Sequence, residues 1–300
     1  MRDQTKGVVA MVATCTVWGL SGIYYKLLDH IQPIEILAHR TLWSCAFFAF
    51  VLLLQGRLSL LAQAVRGRSS VFSIALAALM ISTNWFVFIT SIQIGRAMEA
   101  SLGYYIFPLV AVLLGALAFR ERLGKAQLFA VALALCAVVT LTLGLGVPPW
   151  ISLVLATSFG LYGLVKKGLS VGPVVSVTAE VLLLSPVALI ILWYFHAGTG
   201  TGGAFGTNWR DSLLLAFSGI LTGTPLIMFS YATKRITLAT VGLVQYLNPS
   251  LQFLVATLLF QEVFSFWHAI AFAMIWTALA IYTTASLRQD RAARKAVLKS

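Results

Sequence analysis

The chain has 300 residues, of which 60% are hydrophobic and 10% charged, and its mean hydropathy is +0.92. Soluble domains run about 45–50% apolar and about 25% charged, so a water-soluble enzyme is excluded as the default and lipid must be the solvent for most of the chain. The net charge of +12, from 21 Lys and Arg against 9 Asp and Glu, would suggest nucleic acid on a soluble protein, but its distribution argues for membrane topology.

A bilayer-crossing helix needs about 20 mostly apolar residues. The first run, 7–28, follows Arg2 and Lys6 as a signal peptide would. No small-x-small cleavage site follows it, so it reads as a retained helix. The second run, 34–55, starts behind Pro33 and carries Glu35, His39, Arg40 and Trp43. The third, 71–94, holds Asn84-Trp85 at mid-span. The fourth, 98–119, opens at Glu99 beside Arg96 and continues through Ser101, Tyr104 and Tyr105. Runs 126–144 and 149–166 follow, and 174–196 holds Glu180 behind Pro173. A Gly- and Thr-rich stretch, 197–210, is the longest expected outer loop. Run 212–233 precedes 238–260, where Gln245, Tyr246 and Asn248 stand before Pro249. The last run, 266–287, leads into a basic tail from Arg288. Cys15, Cys45 and Cys136 lie inside apolar runs, and no Cys/His cluster suggests zinc or a disulfide.

The basic residues test this count. With the N-terminus in the cytoplasm, inner segments hold 17 of the 21 Lys and Arg, including Arg57, Lys125, Lys166, Lys167 and Lys234. The outer loops hold only Arg96 and Arg210; Lys26 and Arg40 lie within spans or at their ends. This is a positive-inside pattern. It predicts an even number of helices and two cytoplasmic termini, with the basic tail marking topology rather than nucleic-acid binding.

Shifted by 141 residues, the sequence partly matches itself. Gly19, Leu20, Gly22 and Lys26 fall on Gly160, Leu161, Gly163 and Lys167; Leu102, Tyr105, Pro108 and Glu121 fall on Leu243, Tyr246, Pro249 and Glu262. Each half then has five spans, and an odd number inverts the second half. The expected fold is an all-α membrane protein of ten transmembrane helices in two inverted five-helix repeats, 1–145 and 146–287, plus the tail 288–300. Inverted repeats are a signature of secondary transporters, with substrate at the repeat interface.

Trp18-Gly19, Glu35, His39-Arg40, Trp43-Ser44, Asn84-Trp85, the run Glu99-Ala100-Ser101-Leu102-Gly103-Tyr104, Pro108, Glu121-Arg122, Tyr162-Gly163-Leu164-Val165, Glu180, Pro225-Leu226, Gln245-Tyr246, Pro249 and Glu262 together resemble the drug/metabolite transporter superfamily, EamA type, nearest its RarD-like branch. Phe107-Pro108 departs from the Asn-Pro typical of that branch and present at Asn248-Pro249. The resemblance implies ten helices in two inverted halves, a bacterial inner-membrane location, and transport of small organic solutes, often as export. It does not fix the solute.

Charges inside a membrane cost about 2.5–3.5 kcal/mol on insertion scales and usually face the bundle interior. Glu35 and His39 share a face of the second helix, which Trp43 continues. Glu35 sits in the first turn, where the dipole favours a carboxylate. Arg40 lies about 10 Å down that helix. It is read as an anchor for an anionic or carbonyl group, with structural pairing as the alternative. Glu180, entering from the opposite side, is its approximate inverse counterpart. The two bracket a central cavity, Glu180 anchoring a cationic group or carrying a proton. The candidate substrate contacts are Arg40, Asn84, Trp85, Tyr104, Glu180, Gln245, Tyr246 and Asn248. Glu35, His39 and Glu180 are candidates for proton coupling, and Lys26, Glu35, Arg96 and Glu99 for a switchable outer gate. Helix-end pairing is the reading for Glu121, with Arg122 beside it, and for Glu262. Gly19/Gly22, Gly160/Gly163 and Gly219/Gly223 are read as close-packing positions.

No P-loop or HExxH motif and no cofactor signature is present. The expected function is a secondary active transporter of small organic metabolites or drugs, an exporter working by alternating access, with proton coupling as one reading. Its partners are the solute, protons and the lipid bilayer, with no nucleic acid. An intramembrane enzyme and a non-transporting sensor or scaffold remain the alternatives.

Overall fold

The structure, a computed structural model, describes residues 2–119, 123–169, 171–198, 202–236 and 238–297; the side chains of 2, 119, 198, 238, 239, 286, 287 and 289–297 are outside the description. Among the described residues there are twelve α-helices and no sheet. They are α1 (Arg2–Lys26), α2 (Pro33–Leu54), the short α3 (Leu58–Ala64), α4 (Arg68–Gln93), α5 (Ala97–Phe119), α6 (Lys125–Leu145), α7 (Trp150–Lys167), α8 (Pro173–Trp193), α9 (Trp209–Thr233), α10 (Leu238–Gln245), α11 (Leu247–Leu254) and α12 (Phe266–Val297). π-helical turns continue α8 over Tyr194–Gly198 and α11 over Val255–Leu259. Eight of the described helices are long and apolar enough to cross a bilayer. The chain is therefore an all-α, multi-pass membrane protein. Its large exposed apolar side chains, such as Phe72 at 71% and Leu143 at 78%, form the surface that lipid requires.

Local chemistry sets the helix ends. Pro33 and Pro173 occupy the first turns of α2 and α8, where a missing N–H costs nothing. Gly56 and Gly95 end α2 and α4 at φ +64° and +69°, a left-handed turn that glycine adopts without strain. The following amides then reach back, Arg57 N–H to the Leu52 carbonyl (2.9 Å) and Arg96 N–H to that of Ser91 (2.8 Å). Asn208 caps α9 by accepting the Asp211 N–H at 2.8 Å.

Two expectations need correction. The run 238–260 is not one helix: α10 stops at Gln245 and α11 starts at Leu247. Pro249 supplies no N–H to the Gln245 carbonyl, and the backbone turns at Tyr246. The segment 56–70, expected as a break, contains α3. The backbone of α12 continues past the last span to Val297, so residues 288–297 of the tail are helical. Glu121 and Arg122 lie outside the described residues.

The helices pair in a regular pattern. α5 packs on α7, and α1 on α10 and α11. α2 packs on α9, and α8 on α4. α1 packs on α9, and α4 on α7. α2 also meets α8, and α6 meets α12. In the last pair, Ala130, Ala134, Ala137 and Leu141 form one buried stripe of α6 against the buried Ala271, Ile275 and Ala278 of α12. Small side chains let such helices approach closely in a membrane. Gly19, Gly219 and Gly223 leave no room for a Cβ, and neither does Gly103, while at Gly160 a Cβ would meet only the movable tip of Leu114 closely. Gly163 has open space around its Cβ position, so close packing does not explain it.

Candidate functional site

Arg40 is 8% exposed on the buried face of α2. Its guanidinium carbon lies 4.0 Å from the centre of the Trp85 ring and 5.7 Å from that of Tyr25. One Nη donates to the Tyr25 hydroxyl at 2.5 Å. Its Nε is buried and has no partner among the described residues.

Beside this cage, Asn84 ties α4 to α7. Its amide donates to the Leu155 carbonyl at 3.0 Å and to Ser158 Oγ at 3.1 Å, and its oxygen accepts the Tyr104 hydroxyl at 2.9 Å. The rings form a continuous line: Tyr25 meets Phe88 at 5.9 Å, Phe88 meets Tyr104 at 6.0 Å, Tyr104 meets Phe159 at 6.2 Å, and Phe159 stacks on Tyr162 at 6.0 Å. Trp85, Tyr104, Phe159 and Tyr162 are all half-buried.

The line ends at Glu180, 1% exposed. Tyr162 donates to one carboxylate oxygen at 3.2 Å. The other accepts Lys166 Nζ at 2.6 Å and Ser176 Oγ at 2.9 Å. The structure thus joins Arg40, Trp85, Asn84, Tyr104 and Glu180 through one run of aromatic contacts. It also gives Glu180 a cationic partner that the sequence reading counted only as a topology charge.

Gln245, Tyr246 and Asn248 belong to a different neighbourhood. Tyr246 lines a cleft of about 510 Å³ with Tyr105, Ser250, Trp276 and Thr283. The Tyr105 and Ser250 hydroxyls are 2.6 Å apart. Asn248 accepts from Gln252 at 3.1 Å, and Gln245 is half-buried at the end of α10. Ser101 donates to the Pro249 carbonyl at 2.8 Å, joining α5 to α11.

Of the four residues read as a gate, Arg96 and Glu99 pair with each other, while Lys26 and Glu35 have other partners. Lys26 pairs with Asp29 at 3.1 Å, Arg96 Nε with Glu99 at 2.6 Å, and Glu35 accepts the Ala204 N–H at 2.6 Å. Phe205, next along that loop, stacks on His39 at 5.1 Å and meets Trp43 at 6.0 Å. The shared face of Glu35, His39 and Trp43 is therefore covered by the 202–206 segment. Further fasteners at this end escaped the sequence reading. His30 meets Asp211 at 2.9 Å, and Gln93 donates to the carbonyls of Leu28 (3.2 Å) and Ile31 (2.8 Å). Their only signal was a polar type near a span end. Glu262 does end-capping work, accepting the Ala97 and Met98 amides at 2.6 and 2.8 Å. Burial pushes its carboxyl above the usual glutamate range, and the two amides pull it part of the way back. No group of three His, Cys, Asp or Glu side chains among the described residues is placed to hold a metal.

Comparison with known proteins fits this architecture. The EamA-like transporter family matches residues 5–143. A Vibrio cholerae protein described as an uncharacterized transporter is 39% identical over 295 residues, covering 98% of this chain and 97% of its own. Protein RarD of Streptomyces exfoliatus is 40% identical over 293 residues, covering 97% and 92%. Protein RarD of Escherichia coli is 35% identical, covering 98% and 99%. One solved structure superposes with a TM-score of 0.59 at 19% identity, over 94% of this chain and 98% of that one, a likeness of fold alone. Identity at this level over almost the whole length, together with an all-helical membrane fold, shows that the chain belongs to the EamA-like transporter family of the drug/metabolite transporter superfamily, alongside proteins named RarD, and so to transporters rather than enzymes.

Proposed function

We propose that this protein is a secondary active transporter that exports small organic metabolites or drugs across the bacterial inner membrane by alternating access. In this reading ten spans form two inverted halves: α1, α2, α4, α5 and α6 against α7, α8, α9, α10–α11 and α12. Both termini are cytoplasmic.

The helix pairing is the observation that carries it. Under the 141-residue shift, α5–α7 exchanges with α1–α11, α2–α9 with α4–α8, and α1–α9 with α4–α7, while α2–α8 and α6–α12 map onto themselves. A two-fold relation of this kind supports substrate binding between the halves, where rocking of one against the other alternates access. Arg40, Trp85, Asn84, Tyr104 and Glu180 make the central part of the site; Gln245, Tyr246 and Asn248 border the path along α10–α11. Glu35, His39 and Glu180 are the candidates for proton coupling. Lys26, Glu35, Arg96 and Glu99 belong to a gate that includes the 202–206 segment; the fasteners at that end support a closed state there.

Purified protein in sealed vesicles tests the reading. Saturable solute flux that follows an imposed pH gradient is the expected result. Chemical conversion without flux, or binding without flux, overturns it.

A further inference from the structure

We propose that the site takes an organic monoanion, a carboxylate attached to a flat unsaturated body, with Arg40 as its counter-ion. This rests on the reading of the half–half interface as the substrate site and names the substrate class for it.

The argument begins with charge balance. Other described charges of the bundle have partners: Glu180 pairs with Lys166 and Glu99 with Arg96, and Asp211 is hydrogen-bonded to His30 and Asn208. Glu35 accepts a backbone amide. Arg40 forms no ion pair among the described residues. A guanidinium stays protonated in any protein environment, so it does not escape the cost of burial by losing its proton, as a lysine would. Its charge is left for something that the protein does not itself supply.

Five buried side-chain atoms lack a partner among the described residues, and of these Glu99 Oε2 on α5 and Gln252 Oε1 on α11 are acceptors away from Arg40. Arg40 Nε and Ser44 Oγ are both buried without a partner. They stand four apart on α2, one turn along the same face. Arg40 carries five N–H donors in a fork that matches a carboxylate, and one of its nitrogens is committed to Tyr25. That bond makes the Tyr25 oxygen an acceptor, leaving its own proton to donate. Donors without acceptors describe an anion site.

The walls exclude a bare inorganic ion as the best fit. Trp85 stacks 4.0 Å from the guanidinium carbon, and the rings of Tyr104 and Phe159, half-buried like Trp85 and 6.2 Å apart, belong to the same neighbourhood. A solvated halide gains nothing from these faces, whereas a planar organic body covers them. Glu180 adds no opposing demand for a cation, because Lys166, Ser176 and Tyr162 occupy its carboxylate.

The test is thermal protection of the purified protein by matched probes on several ring scaffolds: benzoate, benzamide and benzylamine; indole-3-acetate, indole-3-acetamide and tryptamine; with sodium chloride as the inorganic control. At least one carboxylate should bind roughly tenfold or more tightly than its own amide, as expected for a charge-assisted bond, and the amines should not protect. Arg40→Gln should erase the preference of acid over amide, and Arg40→Lys should keep its sign with weaker binding. Amide or amine binding as well as the acid overturns the proposal. So does protection by chloride equal to that by the organic acids, and so does a panel in which no acid protects. The wild-type series decides the matter even if Arg40→Gln fails to fold. Acid-selective binding with no flux in vesicles would retain the anion site and overturn the transporter reading instead.

Discussion

Arg40 on α2 and Glu180 on α8 are both buried charges, and their surroundings treat them differently. Tyr25, the partner of Arg40, and Lys166, the partner of Glu180, occupy matching positions under the 141-residue shift. The same seat on the first helix of each half therefore faces a buried charge on the second. In one half the seat holds a full opposite charge at 2.6 Å. In the other it holds a neutral hydroxyl at 2.5 Å. A matched pair stabilises its helix contact and leaves no net charge for an ionic ligand. An unmatched charge costs stability when the site is empty and recovers it when a counter-ion arrives. In the proposed two-half arrangement the Glu180 charge is met within the protein and the Arg40 charge, one position out of register with it, is not.

The sharpest way to break this comparison is to remove the partner of the matched charge. Lys166→Met should cost about 3–5 kcal/mol, because it leaves the Glu180 carboxylate buried alone. Adding Glu180→Leu should restore most of that loss, since apolar replacements of a buried pair are often neutral. Thermal unfolding of the single and double variants in one detergent gives the coupling. A single variant as stable as the parent would mean that the pair is not matched in the way described.

Removing the unmatched charge should behave in the opposite way. Arg40→Gln gives up the Trp85 stacking, about 0.5–2 kcal/mol, and one bond, but also relieves an uncompensated charge costing several kcal/mol. Its unfolding temperature should fall near or above that of the parent, while acid binding is lost. A large destabilisation would reassign Arg40 to the scaffold.

A smaller effect tests the joint beside the cage. Asn84→Leu strands the Tyr104 hydroxyl and removes both donor bonds to α7, which should cost about 1–3 kcal/mol. Ser158→Ala removes only one of those acceptors and should cost about 1 kcal/mol or less. Unfolding midpoints in parallel check the order; equal effects would show that neither the Leu155 bond nor the Tyr104 bond contributes.

The smallest effect concerns pH. Burial raises the Glu262 carboxyl above its unfolded value. The folded form therefore holds its proton more tightly, so this contribution is present at low pH and lost as pH rises through the shifted value. Glu262→Gln has no such proton. Its unfolding temperature should be flatter than that of the parent as pH rises from the ordinary glutamate range. Parallel slopes would contradict the shift.

Much of the fold is legible in the sequence because apolar run length and basic loops are written directly into it. The break at Tyr246 is only half legible. Pro108 and Pro249 occupy matching positions and announce the same lost donor, yet α5 runs through its proline and the ninth run does not. The difference lies in neighbours: Phe107, Leu109 and Ala111 are apolar where Asn248, Ser250 and Gln252 are polar. Ser250 Oγ donates to the Tyr246 carbonyl at 2.7 Å, and Asn248 accepts from Gln252 at 3.1 Å. Both bonds span four residues and tie the first turns of α11 together just after the turn at Tyr246.

The candidate site is legible by residue type and less so by pairing. Arg40, Asn84, Trp85, Tyr104 and Glu180 stand out as polar or aromatic groups in apolar runs. Nothing in the sequence says that Lys166 reaches Glu180, or that Phe205 covers His39. Both are contacts between segments distant in the chain, and Lys166 at a span end has a sufficient explanation in topology. The open valence of Arg40 emerges only after its neighbours are placed.

The most direct measurement is flux through the purified protein in sealed vesicles, using the best-binding carboxylate and its amide with parent and Arg40→Gln protein. Saturable movement of the acid by the parent, little of the amide, and none of the acid by the variant is the predicted result. Equal flux of acid and amide, or undiminished acid flux through Arg40→Gln, would contradict the account.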